Sequence, residues 1–144
     1  MTTPANPDDL ITWLHQQFDD DERVALETPE ESRSWTHRSF VDYSAPDLPQ
    51  DDHTLWFGDR VVGEVGFGDG EILPDEAEHI ARHDPARVLA EVDAKRRLLQ
   101  QFELRGNSVR ATVQPSTGGV WDDLLRMLAL PYADRPGYRE DWRP

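Results

Sequence analysis

Cysteine is absent from this chain. Its absence excludes a disulfide framework, a thiolate zinc site and a cysteine nucleophile. Positive charge is scarce: 15 Lys and Arg stand against 29 Asp and Glu, a formal net charge of −14. Backbone-led binding of DNA or RNA needs a basic surface, so direct nucleic-acid binding is not expected. No apolar run approaches the roughly 20 residues that a membrane-spanning helix requires, and no membrane role is expected. The opening "MTTPANPDD" has neither a basic n-region nor an apolar h-region, so it does not read as a signal peptide and the cytoplasm is the expected compartment. G-x-S-x-G is missing, and "PSTGG" has no nearby base, so nucleophilic catalysis finds no support.

What is present fits one ordinary domain of 144 residues, helped by five Trp, five Phe and three Tyr. The charge is uneven. Met1 to His79 holds 20 acidic and 4 basic residues, a net of −16, whereas Ile80 to Pro144 holds 9 acidic and 11 basic, a net of +2. The basic residues are 14 Arg and one Lys, Lys95, a ratio that fits a GC-rich source.

After a flexible arm at residues 1–7, a helix is expected from Asp8 to Leu26, with Ile11, Leu14, Phe18 and Ala25 as its apolar stripe and Leu10 and Val24 beside it. "SWTHRSFVDYS" and "TLWFGDRVVGEV" mix aromatic and β-branched residues and read as strands, with the loop "APDLPQDD" between them. Gly58-Asp59 is a two-residue hairpin turn that pairs Trp56 with Val61 and Leu55 with Val62. A short helix from Pro74 to His83 and a longer one from Pro85 to Glu103 follow. Val88, Leu89, Val92, Leu99 and Phe102 form the buried face of the longer one. Glu91 with Lys95, and Asp93 with Arg97, are i,i+4 pairs. "NSVRATVQ" alternates as a further strand would, "PSTGG" reads as a loop, and "VWDDLLRMLAL" is an apolar helix ended by Pro131. The expected architecture is α+β: three main helices and one short one on a small antiparallel sheet of three to four strands. An irregular tail at residues 131–144 docks on a single domain spanning 1–144.

"HIARHDPARVLAEVDAKRR" and the ending "LALPYADRPGYREDWRP" resemble the two hallmark blocks of a family of unknown function from actinobacteria, their phages and mobile elements. "LITWLHQQFDDDERVA" is similar to that family's first helix, and Glu27 to Asp75 departs most from its pattern. The resemblance implies a small cytosolic accessory protein and transfers no catalytic residue or cofactor.

His79 and His83 stand four apart, the spacing that puts two ligands on one helix face. A metalloprotease motif has Glu after the first His, where this chain has Ile80. The economical reading is a helix joint: His83 in a last turn, Asp84 as N-cap, Pro85 opening the next helix. "GEVGFGDGE" lacks a P-loop lysine and carries Glu64, Asp69 and Glu71, which repel phosphate. It also lacks calcium-loop spacing, so a turn and strand edge is expected. Asp122 and Asp123 suit the first turn of a helix, where the dipole favours them.

Two surfaces remain as candidates for a protein partner. Asp8, Asp9, Asp19, Asp20, Asp21 and Glu22 form an acidic face that is either plain solvated surface or a contact for a basic partner, in its sharpest form a mimic of DNA phosphates. Tyr138, Arg139 and Trp142 in the tail either dock on the helices or anchor a partner. The function expected is non-enzymatic protein–protein binding, without cofactor, by an accessory protein of a phage or mobile element. The alternative is a metal-dependent hydrolase or nuclease using His79 and His83.

Overall fold

The computed structural model describes residues 7–42, 50–66, 71–112 and 118–144. Four helices, α1 (Pro7–Glu27), α2 (Pro74–Arg82), α3 (Pro85–Thr112) and α4 (Gly118–Ala129), accompany three strands, β1 (Trp35–Asp42), β2 (Gln50–Phe57) and β3 (Arg60–Val65). The fold is α+β. The chain divides into two compact units, Met1–Asp21 with Glu91–Pro144, and Glu22–Ala90, so the boundaries fall within α1 and α3.

The unit Glu22–Ala90 is built on an antiparallel meander in the order β1-β2-β3. Asp59 and Gly58 make the tight turn between β2 and β3, and Gly58 takes φ +60°, a conformation that costs glycine nothing. A Cβ there would collide with the Glu31 carbonyl oxygen, so the position needs glycine twice over. Trp56 faces Val61 as the turn predicts, but Leu55 faces Gly63 rather than Val62. A β-bulge takes up the extra residue and brings Val62 onto the core. That core is Leu55, Val65 and Ala77, with Phe57, Ile72, Ile80 and Ala81 packed around it. Ala77, Ile80 and Ala81 come from α2, which therefore covers one face of the sheet. Trp35 and Phe57 are register partners on β1 and β2, and their rings stack at 4.0 Å.

α2 and α3 meet at one residue. Asp84 Oδ1 accepts the Arg87 N–H at 2.7 Å, the N-cap bond, while Oδ2 accepts the Trp35 N–H at 3.1 Å. The expected cap is thus also a tie to the start of β1. Ala86 N–H, a second helix-end donor, reaches the Arg33 carbonyl at 3.2 Å.

The unit Met1–Asp21 with Glu91–Pro144 is helical. Leu10, Trp13, Leu14 and Phe18 of α1 are buried, with Val92, Leu99 and Phe102 of α3 and Leu125 and Ala129 of α4. The buried stripe of α1 thus includes Trp13, and Ile11 is only half-buried. Phe102 meets Trp121 edge-on at 5.2 Å.

Four expectations fail here. "NSVRATVQ" is not a strand as far as Thr112, because α3 runs on through it; Val113 and Gln114 lie outside the described residues. Extending a formed helix adds a hydrogen bond per residue with no new nucleation cost, and three alternating apolar residues do not outweigh that. Gly118 and Gly119 belong to α4 rather than to the "PSTGG" loop, whose residues 115–117 lie outside the described ones. The early start moves Asp122 and Asp123 beyond the first turn, away from the dipole end. Likewise Gln50–Asp52 of "APDLPQDD" already form β2, residues 45–49 lying outside the described ones, as does the arm at 1–6.

Candidate functional site

A constellation that the sequence pattern does not announce stands on the α2 side of the sheet. The register places His53 opposite Ser39, two positions from the His37–Leu55 pair, so the two histidines are diagonal neighbours on one face. His37 Nε2 lies 3.1 Å from His53 Nδ1. On its other side, His37 Nδ1 lies 3.2 Å from Glu78 Oε2, from α2. Glu78 Oε1 in turn accepts a 2.8 Å bond from Arg82 Nε. The His37 side chain is only 12% exposed, so the middle of this chain of contacts is largely withdrawn from water.

The Arg82 guanidinium, then His37, hold the Glu78 carboxyl below its ordinary 4.5. An ionised carboxylate only accepts, so His37 donates from Nδ1; in the neutral imidazole Nε2 is then the nitrogen with the lone pair, and it faces His53. The two histidines are 16 residues apart. Neither "WTHRS" nor "DDHTL" signals them individually, and the strand register is the information that brings them together.

His79 and His83, the pair that spacing singles out, do something else. His83 Nδ1 donates to the His79 carbonyl at 2.8 Å and the rings lie tilted at 4.2 Å. His83 is the C-cap of α2, and its ring nitrogen satisfies a free carbonyl of the last turn. Among the described residues, no group of three or more His, Asp or Glu is placed to hold a metal ion. The start of "GEVGFGDGE" is strand: Gly63 to Val65 close β3, and just beyond it the Gly66 N–H bonds the Ile72 carbonyl at 3.0 Å. Its centre, residues 67–70, lies outside the described residues.

The α1 carboxylates are distributed between partners and solvent. Asp8, Asp9, Asp19 and Asp20 are exposed, and Asp21 and Glu22 are half-buried. Asp19 accepts from Arg96 at 2.6 Å, Asp21 from Arg135, and Asp9 lies 3.7 Å from Arg139. Arg135 also lies over the Tyr132 ring at 4.7 Å, and Lys95 donates to the Tyr132 hydroxyl at 2.8 Å. Burial, and next the Asp21 charge, push the Tyr132 phenol well above its ordinary range.

The tail docks. Trp13 of α1 donates from Nε1 to the Pro136 carbonyl at 3.1 Å and meets Tyr138 at 5.6 Å and Trp142 at 5.4 Å. Trp142 is buried, Tyr138 half-buried, and Arg139 lies over the Trp142 ring while bonding Asp141 through both Nε and Nη2. Gly137 takes φ +86° against the Trp13 ring, where a Cβ would come within 3.0 Å of Nε1. These contacts are those of a packed tail, with Arg139 its exposed edge.

Counted by unit, most of the net charge lies on Glu22–Ala90, which includes the end of α1. The helical unit holds 13 acidic and 9 basic residues, a net of −4; Glu22–Ala90 holds 16 acidic and 6 basic, a net of −10. In that second unit Arg33 donates to the Thr28 and Leu26 carbonyls and Arg38 lies over Trp56, so these two cations face backbone and ring. Glu30 and Glu31 are exposed on a 3-10 turn (Glu30–Ser32) against which the Gly58-Asp59 turn abuts, and Asp59 is exposed as well.

Comparison with known families places the chain. The model described as "Family of unknown function (DUF6221)" matches residues 7–144, and the chain belongs to that family. The match also spans Glu27 to Asp75. No curated protein and no solved structure matches it. No helix among the described residues is long and apolar enough to cross a membrane.

Proposed function

We propose that this chain acts by binding a protein partner that presents a basic surface. The observation that carries the reading is the partition of charge: a net of −10 on Glu22–Ala90 with Glu30, Glu31 and Asp59 exposed together at one end of its sheet. A surface of one sign steers a partner of the other and rejects nucleic acid. In its sharpest form, the face stands in for DNA phosphates before a nucleic-acid-binding protein. Asp19, Asp20 and Arg139 flank this role rather than lead it, because arginines of the helical unit already engage Asp19 and Asp9. The resemblance of the "HIARHDPARV" block and the tail supports an accessory role in an actinobacterial phage or mobile element.

The test is capture from host lysate with immobilised full-length protein, in three forms. Wild type retains a partner that elutes with rising salt. Glu30→Gln/Glu31→Gln/Asp59→Asn loses it, and Asp19→Asn/Asp20→Asn keeps most of it. An unchanged partner list for the first variant overturns the reading.

A further inference from the structure

The His37–His53 pair has the geometry of half a metal site, and this rests on different residues from the acidic face. Metal–nitrogen bonds of about 2.0–2.1 Å at a tetrahedral angle put two ligand nitrogens about 3.3–3.4 Å apart. His37 Nε2 and His53 Nδ1 stand 3.1 Å apart, close to that bite, on adjacent hydrogen-bonded strands. The Glu78 contact favours the His37 tautomer that a metal ligand at Nε2 needs. Its Nδ1–H is directed at Glu78, whose other oxygen is held by Arg82. A carboxylate behind a ligating imidazole is the usual outer support of such a ligand: it fixes the ring and raises its basicity.

We infer that His37 Nε2 and His53 Nδ1 form a two-histidine site for a borderline divalent cation of the zinc, nickel or copper(II) class, with Glu78 as the positioning residue behind His37. Imidazole nitrogens suit these ions, whereas magnesium and calcium take oxygen ligands. With both rings neutral and His37 donating to Glu78, it is the His53 Nδ1–H that donates to His37 Nε2 in the metal-free protein. On binding, that proton moves to His53 Nε2, both lone pairs face the cation, and neutral rings need release no proton. Among the described residues no third His, Asp or Glu completes a cluster, so the remaining positions go to water or to a donor carried by a ligand. The site is therefore open and of modest affinity, unlike a closed structural zinc site.

The experiment is calorimetric titration of the untagged full chain with zinc chloride in a non-coordinating buffer. One equivalent binding in the micromolar range is expected. His53→Gln removes it, Glu78→Gln weakens it by about 10–100-fold, and His79→Ala/His83→Ala leaves it unchanged. Thermal melts of the metal-free variants confirm folding. His53→Gln is the informative ligand variant, since the His37 side chain is only 12% exposed and also contacts Glu78. Nitrogen-15 NMR of the histidine rings reads the ligating atoms directly, and His53 must bind through Nδ1. Absence of binding at 1:1 stoichiometry, binding that survives His53→Gln in the folded protein, or binding lost with His79 and His83 overturns the site.

Discussion

The two units of this protein differ in net charge and in the make-up of their cores. The helical unit, at −4, ties its carboxylates to arginines: Asp19 to Arg96, Asp21 to Arg135, Asp93 to Arg97 and Asp141 to Arg139. Its interior is aromatic, with Trp13, Phe18, Phe102, Tyr132 and Trp142 buried. The sheet unit, at −10, has a small aliphatic core around Leu55, Val65 and Ala77; it ties Glu27 to Arg23 and Glu78 to Arg82, and exposes Glu30, Glu31 and Asp59. Paired charge and large rings are what a packed scaffold shows. An excess of like charge keeps a protein soluble and costs compaction. The difference is the ground on which the proposed binding face is sought on the sheet unit, beside the acidic helix that the linear sequence makes conspicuous.

Core truncation tests the comparison most strongly. Phe18→Ala is expected to cost about 3–5 kcal/mol and Leu55→Ala about 2–5 kcal/mol, measured by urea denaturation. A larger loss for Leu55 would contradict the view that the aromatic unit has the deeper core. Next come the two left-handed glycines. Gly58→Ala and Gly137→Ala each force a left-handed backbone on alanine, at about 1–3 kcal/mol. Gly58 is expected to cost more, because its Cβ meets backbone oxygen rather than a ring edge. Equal costs would mean that the Glu31 turn yields easily. Asp84→Ala removes the N-cap of α3 and the acceptor for Trp35, for about 1–2 kcal/mol.

Charge neutralisation divides the units by sign. Asp19→Asn is expected to destabilise by at most about 1 kcal/mol, since Asp19 itself is exposed. Glu30→Gln is expected to be neutral or stabilising within about 0.5 kcal/mol, and a loss equal to that of Asp19 would erase the contrast. The pH response is directional. Glu78 has a folded pKa below its ordinary 4.5, so its contribution is present above that value and lost as pH falls through the folded one. Tyr132 is shifted upward from an ordinary 10, so its contribution is present below that pH and lost as pH climbs beyond it. Denaturation midpoints of Glu78→Gln and Tyr132→Phe across pH check both, each variant flattening its own limb.

Local signals were legible where one side chain settles one backbone bond. The Gly58-Asp59 turn, the His83–Asp84–Pro85 joint and the apolar periods of α1 and α3 are of this kind. The same local logic misread "NSVRATVQ", because alternation over so few residues has no authority without a neighbouring strand. It also missed the bulge at Val62, since an extra residue in a ladder is decided by which side chain fills the core beneath it.

The candidate sites divide along the same line. Sequence alone determined the α+β class, the exclusion of cysteine chemistry, the acidic excess and the role of His83, because each depends on composition or on residues within a turn of one another. Tertiary structure alone decided that His37 faces His53 and Glu78, that Trp142 is buried, and that Arg96 reaches Asp19 across 77 positions of chain. These contacts exist only after strands pair and helices pack. The energy that selects them is that of core burial, and a linear pattern records which residues are apolar but not which polar groups their burial brings together.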